Sequence, residues 1–181
     1  DGSSFTEIAD VNTARRIAGA SGVQTAALFF GGYTSGNVGN TESWNGSSWT
    51  EVNDLNSARR SMGGSGTYTA ALCAGGGNAS GAETETWDGS SWTEVADLNT
   101  ARNYLTGIGE SGEACMANSG NSGSYTGATE IWNGSGWTEV ADTPPGRIYV
   151  NLAGSTTSAI QTGGSDPSYP NGNAPYAQEW D

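Results

Sequence analysis

The sequence contains no lysine and no histidine, and its six basic residues are all arginine. Against them stand 19 acidic residues, which gives a formal net charge of −13. Nucleic-acid binding needs a basic surface that neutralises phosphates, and histidine is the commonest general base and transition-metal ligand. We therefore expect no nucleic-acid partner and no cofactor, and most hydrolase and metalloenzyme classes are disfavoured. An ion in a central channel is the one exception left open.

Long apolar runs and cysteines are also scarce. No run approaches the roughly 18 apolar residues that a membrane-spanning helix needs, so we expect no membrane insertion. The two cysteines, Cys73 and Cys115, lie in apolar contexts without the spacing of metal ligands. Two buried free thiols are favoured, and a disulfide is the alternative.

One nine-residue unit recurs along the chain. Residues 44–52 read Trp-Asn-Gly-Ser-Ser-Trp-Thr-Glu-Val, and residues 87–95 and 132–140 are close copies. A fourth copy is divided between the two ends: residues 180–181 supply its beginning, and residues 1–8 supply the rest, with Phe5 in the second aromatic position. The leading tryptophans, at positions 44, 87, 132 and 180, are spaced 43, 45 and 48 residues apart. Such regular spacing indicates four structural repeats.

Within each repeat, short alternating runs between glycine-rich turns indicate strands rather than helices. A ring of four-stranded repeats is the sequence form of a β-propeller. We predict an all-β fold, a single four-bladed propeller with four antiparallel strands per blade, in which residues 3–8 pair with residues 176–180 and close the ring. The predicted blades are residues 15–54, 58–97, 102–142 and 147–180 plus 3–8. The predicted innermost strands are residues 16–22, 60–66, 103–109 and 148–154.

The repeat resembles the kelch family, in which a Gly-Gly pair ends the second strand and aromatic residues follow in the third and fourth strands. The pairs are Gly31-Gly32, Gly75-Gly76 and Gly163-Gly164, and the aromatics that follow are Trp44/Trp49, Trp87/Trp92 and Trp180/Phe5. The third repeat has Ser119-Gly120 in place of the Gly-Gly pair. In all four repeats the third-strand aromatic is Trp rather than the Tyr usual in kelch repeats. In blade number the chain is similar to hemopexin-like domains, without their sequence motif. The resemblance implies architecture only, and galactose oxidase, a kelch-type enzyme, needs histidine ligands that this chain lacks.

Charged residues also recur at fixed repeat positions. Arginines occupy one position and aspartates stand five residues earlier: Arg15, Arg59, Arg102 and Arg147, preceded by Asp10, Asp54, Asp97 and Asp142. The favoured interpretation is a set of Arg–carboxylate pairs that fasten the loops between repeats. The alternative is that four arginines at one channel mouth collect an anion or an acidic ligand group.

The loops between second and third strands are variable in length and rich in Tyr, Ser, Gly and Asn. They are residues 33–40, 77–81, 121–127 and 165–175. This composition is typical of antibody paratopes, although turn formers alone also account for it. The candidate ligand-binding residues are Tyr33, Tyr125, Asp166 and Tyr169, together with the four arginines.

These observations favour a non-enzymatic binding or interaction module that presents its loop face to a protein or glycan partner. The alternative is a purely structural domain of an extracellular or viral appendage, and a kelch-type enzyme is the least favoured reading. The acidic, lysine-free composition favours an extracellular, cell-surface or virion location.

Overall fold

A computed structural model describes residues 3–77 and 81–181. Residues 1–2 of the divided repeat and residues 78–80 of the predicted loop 77–81 lie outside the described residues. The described chain is all-β, and the prediction of that fold class is confirmed. In this part of the chain no helix has the length and hydropathy needed to cross a membrane.

The strands form four antiparallel sheets, one per sequence repeat. The first three sheets have four strands each, in the orders β1-β2-β3-β4, β5-β6-β7-β8 and β9-β10-β11-β12, and the fourth has the order β13-β14-β15. Each sheet is thus a meander in sequence order, which is consistent with a β-propeller. The strands are β1 (Gly19–Val23), β2 (Ala26–Phe30), β3 (Thr41–Trp44), β4 (Trp49–Val52), β5 (Gly63–Gly66), β6 (Ala71–Gly76), β7 (Gly81–Trp87), β8 (Trp92–Val95), β9 (Thr106–Ser111), β10 (Ala114–Asn121), β11 (Tyr125–Trp132), β12 (Trp137–Glu139), β13 (Asn151–Gly154), β14 (Ala159–Thr162) and β15 (Ala177–Trp180).

The repeated Trp-Asn/Asp-Gly segment forms the hairpin between the third and fourth strands. Asp88 Oδ1 accepts hydrogen bonds from the backbone N–H groups of Ser90 and Ser91, both at 2.8 Å. Gly89 follows in the left-handed region with φ +98°, where glycine is tolerated without strain. Hydrogen bonds from Ser90 and Ser91 lower the pKa of Asp88 to about 2. The turn chemistry thus explains why Asn or Asp and Gly recur at these positions.

The innermost strands pack on one another in the series β1, β5, β9 and β13. Glycines permit the close approach: a Cβ on Gly63 would lie 3.2 Å from the backbone N of Gly107 in the next sheet. The Gly-Gly pairs also connect neighbouring sheets, because the N–H of Gly32 donates to the Arg59 carbonyl at 2.9 Å and that of Gly76 to the Arg102 carbonyl at 3.0 Å. The sequence pair therefore marks a contact between sheets.

In the second and third repeats, the second tryptophan fills the space between two sheets. Trp92 lies in a buried cluster with Phe30, Leu55 and Cys73, and its Nε1 donates to Thr41 Oγ1 of the preceding sheet at 3.0 Å. Trp137 makes the equivalent bond to Thr84, at 3.1 Å. Large aromatic rings with a bonded N–H suit this position because they bury much apolar area at little polar cost.

Both cysteines are buried and free, and the prediction of buried thiols is confirmed.

The N-terminal segment corrects the predicted closure. Residues 3–8 form no strand, and the fourth sheet has three strands, with β15 paired only to β14 among the described residues. Phe5 is fully exposed. No comparable packing joins β13 to β1 within the described chain. The pairing of residues 3–8 with residues 176–180 fails because the first and fourth sheets are not brought together.

The innermost strands begin about three residues later than predicted. The residue two places after each repeated arginine has a left-handed backbone: Ile17, Ser61, Tyr104 and Tyr149 have φ between 50° and 59°. That conformation interrupts a strand and is unusual for residues other than glycine. It is held by hydrogen bonds between sheets, since Ser61 N–H donates to the Ile17 carbonyl at 3.0 Å and Tyr104 N–H to the Ser61 carbonyl at 2.8 Å.

We predict that Gly75→Ala lowers the free energy of unfolding by about 2–4 kcal/mol. Gly75 has φ +65°, and a Cβ there would lie 2.7 Å from the Arg102 carbonyl oxygen. The matched control is Gly36→Ala, since a Cβ on Gly36 meets nothing within 4 Å. Urea unfolding monitored by tryptophan fluorescence measures both, and equal stability of the two variants would contradict the role given to the Gly-Gly pair.

Candidate functional site

The repeated arginines are buried beneath the loop end of the sheets, the end at which each second strand connects to the third. In the first three sheets each guanidinium pairs with a glutamate on the third strand. The pairs are Arg15–Glu42, Arg59–Glu85 at 2.5 Å and Arg102–Glu130 at 2.5 Å. All six side chains are at most 2% exposed. Buried pairs of this kind are retained only when further hydrogen bonds satisfy both partners.

The first unit shows how the carboxylate is satisfied. The backbone N–H and Nδ2 of Asn12 donate to Glu42 Oε2 at 2.6 and 2.9 Å, and the Thr13 N–H donates to Oε1 at 3.2 Å. Arg15 donates to the same Oε1 and also to the carbonyls of Phe29 and Gly31. One arginine thus joins the incoming loop, the second strand and the third strand. Asn56 and Asn99 repeat the contact at Glu85 and Glu130.

The fourth unit has neither the carboxylate nor the backbone donors that satisfy it in the other units. Gln178 stands at the repeat position of the glutamate, and Pro144 and Pro145 replace the Asn and Thr whose N–H groups would donate. Proline has no N–H, so a carboxylate here would lack two backbone donors. Instead Arg147 donates to the side-chain oxygens of Gln161 and Gln178, and Gln178 Nε2 donates to the Pro144 carbonyl at 2.6 Å. Burial lowers the pKa of Arg147, and the nearby Asp166 partly offsets that effect.

This geometry gives the arginines partners that the sequence did not suggest. The aspartates five residues earlier are not those partners: Asp54 Oδ1 instead accepts from the Thr41 N–H at 3.2 Å. The glutamates were missed because their separation from the arginines, 26 to 28 residues, gives no local signal. The guanidinium groups are buried, which supports the fastening role over an anion site at a channel mouth.

Electrostatics at Glu42 follow from these contacts. Burial alone would raise the pKa of Glu42, but hydrogen bonds from Arg15, Asn12 and Thr13 and the positive charge of Arg15 outweigh it and hold the pKa below its ordinary value of 4.5. The carboxylate is therefore ionised at neutral pH and stabilises the folded state there.

The loop end also collects tyrosines. In the first, third and fourth sheets, a single β-bridge joins the residue three positions before the inner strand to the end of the second strand or the loop that follows it, at Arg16–Tyr33, Asn103–Asn121 and Ile148–Ser165. The loops that lead into the inner strands and the loops between the second and third strands therefore lie at the same end of the sheets. The tyrosines here are Tyr33, Tyr104, Tyr125, Tyr149, Tyr169 and Tyr176, and the remaining one, Tyr68, lies in the β5–β6 turn at the far end.

Tyr104 and Tyr149, like Tyr176, were not among the candidate residues named from the sequence. Tyr104 and Tyr149 pack edge-to-face with ring centroids 5.0 Å apart, and Tyr149 is 58% exposed. Burial raises the pKa of Tyr149, and Tyr104 and Tyr125 raise it further. Its hydroxyl therefore stays protonated at neutral pH and can donate a hydrogen bond. The only sequence signal was their shared repeat position two residues after an arginine.

The sequence-predicted tyrosines are on the same end but in separate groups. Tyr33 lies beneath the guanidinium groups of Arg16 and Arg60, at 5.3 and 4.4 Å from its ring centroid. Tyr169 packs edge-to-face on Tyr176 at 5.6 Å. No ring contact joins Tyr33, Tyr125 and Tyr169 to one another within the described residues.

Asp166 is buried in the loop that leads to β15. Its Oδ1 accepts from the N–H and hydroxyl of Ser168, at 2.8 and 2.7 Å, and these bonds lower the pKa of Asp166. Its side chain orders the loop, and the whole residue is only 2% exposed. The structure therefore gives Asp166 a role in loop geometry.

Comparison with known proteins gave no family model and no curated protein that matches this chain. Within residues 3–77 and 81–181, no group of three or more Cys, Asp or Glu side chains is arranged to hold a metal ion.

We predict that Glu130→Gln lowers the free energy of unfolding by about 3–5 kcal/mol, because it leaves the charge of Arg102 buried without a counter-charge. The control is Glu139→Gln, since Glu139 is exposed and lies directly opposite Glu130 in the same sheet. Its effect should stay within about 0.5 kcal/mol. Urea unfolding measures both variants. Similar losses of unfolding free energy would show that the buried pair stabilises the fold no more than an exposed glutamate does.

We also predict that Glu42 contributes to acid sensitivity. Its pKa is lower in the folded state than in the unfolded state, so its contribution is complete above pH 4.5 and is lost as pH falls through the folded pKa. Unfolding free energies measured between about pH 5 and pH 3 should fall less steeply for Glu42→Gln than for the unsubstituted protein. If the unfolding free energies of the two proteins fell equally steeply with pH, Glu42 would not be a source of the acid sensitivity.

Proposed function

We propose that this chain is a non-enzymatic binding module that presents its loop end to a protein or glycan partner. The observation that carries the proposal is the placement of the tyrosines, all of which except Tyr68 lie at the loop end. Tyrosine supplies rigid amphipathic contact area with little entropy to lose, and it is enriched at recognition surfaces for that reason.

The surroundings of Tyr149 suit recognition. Its ring is exposed, and Tyr104 holds it from one side. Its left-handed backbone is fixed by the contact of its N–H with the Tyr104 carbonyl, at 3.5 Å. A preorganised aromatic surface loses less entropy when a partner binds.

The more specific form of this proposal is that the four sheets are the blades of a β-propeller with kelch-like repeats. It is supported by the sheet-to-sheet bonds of the Gly-Gly pairs and by the regular place of the second tryptophan between sheets. We also propose an extracellular, cell-surface or virion location, on the acidic, lysine-free composition.

A structural building block is the second candidate. The edge of β15, which is unpaired among the described residues, favours it, because exposed edges are templates for association with other chains.

We predict that Tyr149→Ala weakens partner binding by about tenfold or more, as expected for an exposed aromatic anchor. The matched control is Tyr68→Ala, which removes a 44% exposed tyrosine from the far end. Binding is measured first on a glycan array and then by titration with the glycan identified.

If Tyr68→Ala lost binding and Tyr149→Ala kept it, the loop end would not be the binding surface. If the unsubstituted protein bound no glycan, the glycan form of the proposal would fail, and a protein partner or the building-block role would replace it.

A further inference from the structure

Two of the six arginines are not part of the buried network at the loop end. Arg16 and Arg60 each follow one of the repeated arginines directly in the sequence. Arg16 is exposed and Arg60 is half-buried. Among the described residues, neither guanidinium group forms an ion pair or donates a hydrogen bond, and Arg60 Nε is buried without an acceptor. The N–H groups of both side chains are therefore available to an anion from outside the chain.

Both guanidinium groups stack on the same tyrosine ring. The Cζ atoms of Arg16 and Arg60 lie 5.3 and 4.4 Å from the ring centroid of Tyr33. Arg16 reaches the ring because its backbone pairs with that of Tyr33, with N–H to carbonyl distances of 3.1 and 2.9 Å, and directly opposite residues share a face. Arg60 comes from the next unit. Since cation–π contacts within about 6 Å are attractive, Tyr33 positions both charges before a ligand arrives.

The repeat itself does not require these three side chains. The third and fourth units have no arginine at the position of Arg16 and Arg60, and the other three units have no aromatic residue at the position of Tyr33. The residues there are Asn103 and Ile148 in place of arginine, and Gly77, Asn121 and Ser165 in place of tyrosine. All four units still form the backbone contact between the two positions. The fold is thus formed without these side chains, and binding accounts for their presence in the first two units.

The charge of this site is opposite to that of the chain as a whole. The other four arginine side chains are buried, and the net charge is −13. A basic protein would be attracted by the chain but repelled by Arg16 and Arg60, and an acidic protein would bring many like charges against the surface. An acidic glycan carries its charged groups on a neutral, hydroxyl-rich backbone and avoids both costs. Guanidinium groups bind such oxyanions through two parallel hydrogen bonds.

We propose that Arg16 and Arg60, positioned by Tyr33, bind the carboxylate or sulfate group of an acidic glycan. The inference rests on the proposed function, because it names the class of ligand that the loop end binds. The exposed ring of Tyr149 lies at the same end and offers a contact for the uncharged part of the glycan.

The probe is an array of acidic oligosaccharides, each printed beside its neutral form. Uronate and sialylated oligosaccharides are paired with their carboxyl-reduced forms, and sulfated galactans with desulfated galactans, so that the array also identifies the acidic group. We expect the unsubstituted chain to bind an acidic form about tenfold or more tightly than its neutral form. Its affinity for the acidic form should fall as salt rises from about 0.05 M to about 0.5 M, because exposed charges are screened.

The variants Arg16→Gln and Arg60→Gln should each weaken binding of the acidic form by about tenfold, since charge-assisted hydrogen bonds are lost. The matched control is Gln24→Glu, which changes the net charge by the same amount but lies exposed in the β1–β2 turn at the far end. It should bind as the unsubstituted chain does. Tyr33→Leu should weaken binding and Tyr33→Phe should restore it, because the ring face holds the arginines.

Urea unfolding checks that the variants are folded. Arg16→Gln and Arg60→Gln should keep the stability of the unsubstituted chain, because neither side chain belongs to the buried network. If either variant failed to fold, the preference of the unsubstituted chain for acidic over neutral forms, with its salt dependence, would decide the question.

A preference for acidic forms that the arginine variants lose and Gln24→Glu keeps supports the site. Equal binding of acidic and neutral forms overturns it and leaves the loop-end function in place. An equal loss in Gln24→Glu overturns it as well, because overall charge then explains the effect. Binding of a glutamate-rich peptide without any acidic glycan overturns the glycan class and assigns the arginines to an acidic protein partner.

Discussion

A buried guanidinium holds together the segments that meet at the loop end of each sheet. In the first unit Arg15 reaches the carbonyls of the second strand and the carboxylate of Glu42 on the third, and Asn12 and Thr13 bring the incoming loop to the same carboxylate. Two charges removed from water are costly unless such bonds replace their hydration. The loops can vary in length above this layer because their ends are fixed by it.

The fourth unit shows that the network changes as a whole. Once Pro144 and Pro145 remove two backbone donors, a carboxylate would be left short of partners, and the chain has the neutral Gln178 instead. Arg147 keeps its burial but exchanges a charged acceptor for two amide oxygens. The fourth sheet therefore has no buried ion pair of this kind, and among the described residues it is also the sheet without an outer strand.

Two kinds of surface result from this arrangement. The loop end gathers tyrosines over a layer that the arginines make rigid, which suits recognition. The lateral face of the first sheet is left apolar, with no charged residue among those that line its cavity, which suits association. The same repeat produces both, because each sheet needs a neighbour on either side to bury its tryptophans.

Much of this was readable in the sequence. The period of the tryptophans determined the number of sheets, and Asn-Gly and Asp-Gly determined the hairpins, because both signals are local or strictly repeated. The burial of Cys73 and Cys115 also followed from their apolar neighbours. The partners of the arginines did not, since Glu42, Glu85 and Glu130 are distant in sequence and only the meander of each sheet brings them close. Nor did the late start of the inner strands, which depends on bonds from Ser61 and Tyr104 to the preceding sheet. Whether residues 3–8 meet β15 depends on how the first and fourth sheets are placed, and a repeat pattern identifies a strand without determining which sheet, or which chain, receives it.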